Sequence, residues 1–135
     1  MEIADLLKQY IKKNGNEKVE FSWDETFGSI LSIDGGNLNV KIEPHNNEVW
    51  FHCAIFDIPH HNKEHFYEKL LVSQLFGQLT RGAHFSLDLN QKNVLLCKTL
   101  TTEGINEEIF DHTLTEFIET CLLWKATLTN SAKNE

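Results

Sequence analysis

Histidines at the start of a predicted helix are the first residues whose spacing permits chemistry. His61 and His65 are four residues apart, which places both imidazoles on one face of a helix. Such a pair binds zinc when further ligands complete a tetrahedral site. The spacing of His60, Glu64 and Glu68 supplies no such third ligand. The pattern therefore favours a solvated histidine cluster over a metal site.

Two cysteines near a histidine raise a second possibility, a thiol nucleophile. Cys53 directly follows His52, and Cys97 lies in a later apolar segment. Both thiols fall in the middle of predicted strands, where a cysteine usually packs in the core and is unreactive. Cys121 also has apolar neighbours, and an odd number of cysteines without paired spacing fits a reducing compartment. We interpret all three as buried, reduced thiols.

The sequence indicates neither a phosphate-binding loop nor a catalytic pair of carboxylates. Gly35–Gly36 is too short for a phosphate loop, and no helical pattern follows it. The adjacent acids Asp24–Glu25 and Glu107–Glu108 fall in a loop and at a helix start, where carboxylates are solvated. No constellation supports catalysis, so the sequence predicts a protein that is not an enzyme and needs no cofactor and no metal.

Length and charge narrow the class of protein. A chain of 135 residues with a formal net charge of -8 is long enough for one domain. This charge repels nucleic-acid phosphates and anionic membrane surfaces, so we expect no nucleic-acid or membrane partner. The first residues lack the pattern of a signal peptide, and no apolar run approaches the ~18 residues of a membrane span. We expect a cytoplasmic protein with one domain over residues 1–129 and a polar tail over 130–135.

Hydrophobic periodicity predicts the elements that would position these side chains. Apolar residues recur every three or four positions in three segments, which predicts helices over residues 2–13, 63–78 and 107–124. Alternation of apolar and polar residues predicts strands over 29–34, 37–43, 48–56, 84–89 and 94–100. Residues 16–27 are less regular, although Val19, Phe21 and Trp23 alternate as in an irregular strand. The pattern predicts a single-domain α+β fold, α-β-β-β-α-β-β-α, with a twisted antiparallel sheet packed with helices.

Two of these elements carry more apolar surface than a small monomer needs. The strand over 48–56 is apolar on both faces, whereas the second face of a meander strand is normally solvated. Either the first or last helix covers that face, or a partner does. The helix over 63–78 is also apolar over more than one face. We therefore predict a homodimer whose interface includes Leu71, Leu75, Phe76 and Phe85.

Residues 70–100 carry a resemblance to a known family. The segment reads LLVSQLFGQLTRGAHFSLDLNQKNVLLCKTL, an apolar helix, a break containing glycine, and a strand of the form apolar–x–Leu–Asp before a hairpin turn. With the order of elements and the last helix, it resembles the class I type III secretion chaperones of Gram-negative bacteria, the Tir-chaperone-like family. The resemblance spans roughly residues 3–125. It implies a homodimeric, non-enzymatic chaperone that binds the N-terminal segment of a secreted effector and keeps it non-globular and secretion-competent.

The resemblance also implies a place for the client segment. In that family's arrangement the first helix lies beside the sheet, so the two can form a groove. We therefore predict client contacts at Leu6, Tyr10, Trp50, His52 and Phe56, with the large aromatic residues as anchors. Two other classes remain open. One is a different binding module, such as a toxin immunity protein with a rigid, charged surface, and the other is a small enzyme whose site forms only in three dimensions.

Overall fold

Three α-helices and six strands occupy the part of the chain that the computed structural model describes. Those residues are 2–14, 19–24 and 28–133, with the backbone alone over 19–24. In chain order the elements are α1 (Ile3–Asn14), β1 (Val19–Asp24), β2 (Gly28–Ile33), β3 (Leu38–His45), β4 (Glu48–Asp57), α2 (Lys63–Ser73), β5 (His84–Leu87), β6 (Asn93–Thr101) and α3 (Glu107–Lys133). The predicted end of the first helix at Gly15 and the predicted loop at Glu25 and Thr26 lie outside the described residues.

The strands form one antiparallel sheet in the order β1-β2-β3-β4-β6-β5. The α+β class and the antiparallel sheet packed with helices are confirmed, and the predicted order α-β-β-β-α-β-β-α is present. β1 is an additional edge strand ahead of that order, and it pairs with β2 from Val19 opposite Ile33 to Asp24 opposite Gly28. The alternation of Val19, Phe21 and Trp23 in the sequence thus corresponds to a strand.

One face of the sheet carries the core under the helices. Phe51 of β4 lies 6.1 Å and 5.8 Å, between ring centroids, from Phe110 and Phe117 of α3. All three rings are fully buried, and each burial stabilises the fold by roughly 2–3 kcal/mol. α1 packs on α3, where the hydroxyls of Tyr10 and Thr115 are 2.9 Å apart. Within the described residues no helix is both long and apolar enough to cross a bilayer.

The helix boundaries differ from the predicted ones at two places. α2 ends at Ser73 rather than at residue 78, because a 3-10 turn over Leu75–Gly77 follows it and Phe76 adopts a left-handed conformation with φ of 58°. α3 continues to Lys133, past the predicted end at residue 124 and through the start of the predicted tail. Leu128 extends its buried stripe, which stabilises these added turns.

Asp88 organises the hairpin between β5 and β6. Its Oδ1 accepts the backbone N–H groups of Lys92 at 2.7 Å and Asn93 at 3.2 Å, and its Oδ2 accepts the Asn93 side-chain amide at 3.0 Å. The bond from the Asn93 side chain is the main reason that the pKa of the Asp88 carboxyl is lowered. The apolar–x–Leu–Asp pattern thus ends in a carboxylate because the turn offers several donors to it.

Candidate protein-binding surfaces

The sheet face that points away from the helices is uncovered. Directly paired residues of antiparallel strands share a face. At the centre of this outer face, as we call it, lie Trp50, His52 and Ala54 of β4 with Leu95, Cys97 and Thr99 of β6. No described side chain that points to the outer face from β2 to β6 is buried. The second face of β4 is therefore not covered by α1 or α3.

Trp50 is held in place on the outer face without being covered. Its side chain is 41% exposed. Its ring stacks on His45 with centroids 3.7 Å apart, and its Nε1 donates to Glu48 Oε2 at 2.9 Å. A large aromatic side chain that is already ordered loses little conformational entropy when a partner binds it. Trp50 therefore has the properties of a binding anchor, and its contact with a client stays a prediction.

His52 provides a polar group next to Trp50. His52 Nε2 lies 2.8 Å from Glu43 Oε2, and the two side chains are 20% and 21% exposed. Glu43 pairs across the strands with Trp50, so the polar pair and the indole adjoin one another. The outer face thus offers an apolar ring flanked by hydrogen-bonding groups.

Phe56 does not lie on the outer face, contrary to the prediction. The register between β4 and β6 shifts between Ala54 and Phe56, which places Phe56 opposite the buried Val94. Such a bulge adds one residue to a strand and reverses the alternation beyond it. Phe56 consequently points to the helical side, where its ring centroid is 6.0 Å from that of Phe66 in α2.

Leu6 and Tyr10 are core residues rather than groove residues. They are 0% and 5% exposed, and the Tyr10 hydroxyl is hydrogen-bonded to Thr115. Burial is the largest cause that raises the pKa of Tyr10. A helix of 12 residues is marginal alone and docks through its apolar face, which removes that face from a client. The predicted client contacts at Leu6 and Tyr10 are corrected accordingly.

Tyr10→Phe should lower the free energy of unfolding by about 1 kcal/mol, because Thr115 loses its hydrogen-bond partner while the ring remains. Urea denaturation measures this difference. Affinity for a client should be unchanged in the folded protein. If the Tyr10→Phe protein lost affinity for the client while its stability was unchanged, Tyr10 would be shown to contact the client.

Side chains of α2 and the turn after it form an exposed apolar patch. This α2 patch consists of Leu71, Val72, Leu75, Phe76 and Leu79, which are 62–89% exposed. Residues 71–79 contain no ionisable side chain. The prediction of surplus apolar surface included Leu71, Leu75 and Phe76 but missed Val72 and Leu79. Nine successive uncharged residues in an acidic chain were the signal that would have found them.

The turn after α2 is fastened to α3, which keeps the α2 patch facing outward. Trp124 Nε1 donates to the Leu79 carbonyl at 3.1 Å. The carbonyl of Arg81 accepts from Lys98 Nζ at 2.9 Å, and the Arg81 guanidinium pairs with Glu119 at 3.2 Å. The backbone of the turn is therefore bound to α3 through Trp124 and to β6 through Lys98, while its apolar side chains remain in solvent.

An apolar groove of about 290 Å³ lies between α2 and β5. Its lining residues are Tyr67, Leu70, Leu71, Gln74, Phe85, Ser86 and Leu87. Gln74 Oε1 accepts the backbone N–H of Phe85 at 2.7 Å, which joins the end of α2 to the edge strand. The Phe85 ring packs edge-on against Trp124 at 5.1 Å. Phe85 thus forms a wall of the groove and anchors it to the core, whereas the α2 patch protrudes beside it.

The structure brings one cysteine next to histidines: Cys97 of β6 pairs directly with His52 of β4 and with His84 of β5. Cys53 and Cys121 are buried, and the Cys53 thiol donates to the carbonyl of Ala54 at 3.6 Å. Burial is the main cause that raises the pKa of Cys121. Cys97 lies on the outer face and is only partly buried, in contrast to the prediction of a buried thiol. This partial burial raises the pKa of Cys97 to about 11, so the thiol is almost entirely protonated at neutral pH. Among the described residues no three His, Cys, Asp or Glu side chains are grouped to hold a metal ion.

Cys97 should resist alkylation at pH 8, since a thiol with a pKa of about 11 is only about 0.1% thiolate there. Iodoacetamide labelling followed by mass spectrometry measures the rate. The same protein in urea should be labelled at least a hundredfold faster. Rapid labelling of Cys97 in the native state would contradict this description.

Comparison with known proteins agrees with this architecture. The model of the Tir chaperone protein (CesT) family matches residues 5–125. The structure of the ExsC–ExsE complex is 16% identical with a TM-score of 0.70, over 93% of this chain and 96% of that chain. The structure of the HopA1–SchA chaperone–effector complex is 15% identical with a TM-score of 0.65, over 92% and 90%.

A third similar structure, YbjN from E. coli, is described as a putative transcription regulator. It is 15% identical with a TM-score of 0.70, over 98% of this chain and 94% of that chain. At such identities the structures show a common fold and no more. No curated protein sequence is a significant match. Because the family model matches nearly the whole chain, the protein belongs to the Tir chaperone protein (CesT) family.

Proposed function

We propose that the protein is a bacterial, cytoplasmic type III secretion chaperone that acts as a homodimer. It binds an N-terminal segment of a secreted effector and keeps that segment non-globular and competent for secretion. The family match over residues 5–125 carries this proposal. The uncovered outer face and the α2 patch supply the two surfaces that the activity needs, one for a client and one for a second copy.

The client binds on the outer face, with Trp50 and His52 at its centre. An extended segment presents backbone donors and acceptors along its length, and the His52–Glu43 pair supplies partners for them. An apolar client side chain packs on Trp50, the large exposed aromatic of this face. A segment without its own fold can cover such a broad, shallow surface.

The second copy binds at the α2 patch, and the interface includes Leu71, Leu75 and Phe76, with Phe85 behind them. The exposed surface of the α2 patch is on the order of 700 Å², close to the roughly 800 Å² that each partner buries in a standard interface. A water-exposed patch of this size is unusual for a monomer. Two acidic copies can approach here without charge repulsion, because residues 71–79 carry no charge.

Catalysis, metal and nucleotide have no part in this function. We expect no reaction at Cys97, whose raised pKa keeps the thiol protonated, nor at the exposed His61 and His65. Activity therefore consists of binding alone, and chelators or nucleotides should leave client affinity unchanged.

Co-expression with a secreted protein encoded beside this chain tests the proposed function. The tagged chaperone should co-purify with the full-length secreted protein and with its N-terminal segment alone. Deletion of that segment should abolish co-purification. Retention of a client without its N-terminal segment, or failure to retain any neighbouring secreted protein, would contradict the proposal.

A further inference from the structure

We infer that Cys53 of β4 and Cys121 of α3 form a redox-responsive pair, which hydrogen peroxide oxidises to an intramolecular disulfide. The bond fastens α3 to the centre of the sheet, on the side opposite the outer face. The observation that carries the inference is the alignment of the two buried thiols where α3 lies along β4. It is independent of the proposed function, because it concerns the core of the protein and not its binding surfaces.

Cys53 and Cys121 continue a line of contacts between β4 and α3. Phe51 packs on Phe117, with ring centroids 5.8 Å apart. Cys53 follows two residues after Phe51, roughly 7 Å further along an extended strand. Cys121 follows four residues after Phe117, about 6 Å further along the helix. These matching steps place the two thiols opposite one another, and both are buried, with exposures of 1% and 0%.

The contacts continue in the same order beyond the thiols. Ala54 and Ile55 of β4 line a cleft of about 410 Å³ together with Lys125, which lies one turn after Cys121 on α3. β4 and α3 therefore run side by side in the same direction. The cleft also brings solvent to within one residue of Cys53. A molecule as small as hydrogen peroxide reaches the pair from there through a small local opening.

The surroundings of the two thiols differ, which makes Cys53 the first to react. The neighbouring Cys121 side chain is the largest cause that lowers the pKa of the Cys53 thiol, and the charge of Lys125 acts in the same direction. Burial raises the pKa of Cys121, so that thiol stays protonated. Because the thiolate is the nucleophile toward a peroxide, Cys53 attacks and Cys121 resolves.

The oxidation has two steps. The Cys53 sulfur attacks one oxygen of hydrogen peroxide, the O–O bond breaks, and the released hydroxide leaves as water with the proton of the Cys53 thiol. The Cys121 sulfur then attacks the sulfur of the Cys53 sulfenic acid, and the S–O bond breaks. Hydroxide leaves as a second water with the proton of Cys121. The two thiols lose two electrons in total, and the peroxide gains them.

Cys97 takes no part in this reaction. It pairs with His52 on the outer face, whereas Cys53, the next residue of β4, points to the helices. The sheet therefore separates the Cys97 sulfur from the pair. In a reducing compartment the disulfide is transient, as is typical of redox-sensing cysteines.

Counting free thiols in the full-length chain tests the inference. The protein is treated with hydrogen peroxide, quenched with catalase, unfolded in urea and alkylated with iodoacetamide. Mass spectrometry should then find one alkylated cysteine, Cys97, instead of the three of the untreated chain. Peptide mapping should find Cys53 linked to Cys121. Dithiothreitol before alkylation should restore the count of three.

Three variants separate pairing from oxidation of single thiols. Cys97→Ala should form the disulfide as fast as the wild type, whereas Cys53→Ala and Cys121→Ala should form none. The bond closes a loop of about 70 residues, so oxidation should raise the melting temperature of the wild type by at least about 5 °C. The same treatment of Cys121→Ala should produce no such rise.

The opposite results would overturn the inference. Three alkylated cysteines after peroxide treatment would show that the pair does not oxidise, and a cross-link to Cys97 would show that the thiols are arranged differently. Equal loss of free thiols in the wild type and in Cys121→Ala would mean that Cys53 reacts without its partner. An oxidised wild type that melts no higher than the reduced protein would contradict a bond that fits the native alignment.

Discussion

Leu75→Asp should convert the protein from a dimer to a monomer that remains folded. Leu75 is 62% exposed in the monomer, so the substitution does not disturb the core. In the proposed interface it would bury an unpaired carboxylate, at a cost of about 2 kcal/mol or more per copy. A two-fold interface contains the substitution twice, and about 4 kcal/mol corresponds to a thousandfold rise in the dissociation constant. Light scattering at micromolar concentration measures the change in mass.

Ile109→Asp is the matched control for this variant. Ile109 is 42% exposed and lies 15 residues before Trp124 on α3, about 22 Å along the helix axis from the residue that holds the turn of the α2 patch. This variant should remain dimeric. A Leu75→Asp protein that keeps the mass of a dimer would show that the chain associates through another surface.

Trp50→Ala should weaken binding of the effector segment by roughly 2 kcal/mol, about thirtyfold, with little change in stability. The indole is 41% exposed and its contacts are with His45 and Glu48 at the strand surface, so its loss leaves no cavity in the core. Isothermal titration with the N-terminal segment of a client measures the affinity. Thermal unfolding measures the stability in parallel.

Phe51→Ala separates binding from folding, because Phe51 adjoins Trp50 in β4 and points to the opposite face. It is 1% exposed and packs on Phe110 and Phe117, so its truncation should cost about 3–5 kcal/mol of stability. Its folded fraction should bind the segment with wild-type affinity. If a folded Trp50→Ala dimer bound the segment with unchanged affinity, the client site would have to lie outside the outer face.

The pattern of alternation predicted the strands and their buried face, because each strand alternates between core and surface. It did not reveal the bulge between Ala54 and Phe56, since β4 is apolar on both faces and a shift of register leaves no mark in such a sequence. Phe56 was therefore assigned to the wrong face, whereas Trp50 and His52, which precede the bulge, were assigned to the correct one.

The spacing of apolar residues predicted that the three helices exist. It predicted less well where each helix ends and what each helix packs against. Leu75 and Leu79 continue the spacing of α2, but α2 ends at Ser73, and Phe76 in the turn after it adopts a left-handed conformation. Apolar spacing carries no signal for this break, because it reports burial and not backbone conformation. The apolar face of α1 predicted a docked helix correctly. It did not identify what that face docks on, so Leu6 and Tyr10 were assigned to a client instead of the core.

The mass and conformation of the complex with an effector segment test the central claim most directly. Light scattering of the purified complex should give the mass of two copies of this chain together with the bound N-terminal segment. Hydrogen exchange should show protection of amides in the segment only where it contacts the chaperone, with no independently folded core. A complex in which the segment forms its own globular domain, or a chain that binds no secreted protein through its N-terminal segment, would contradict the assignment as a secretion chaperone.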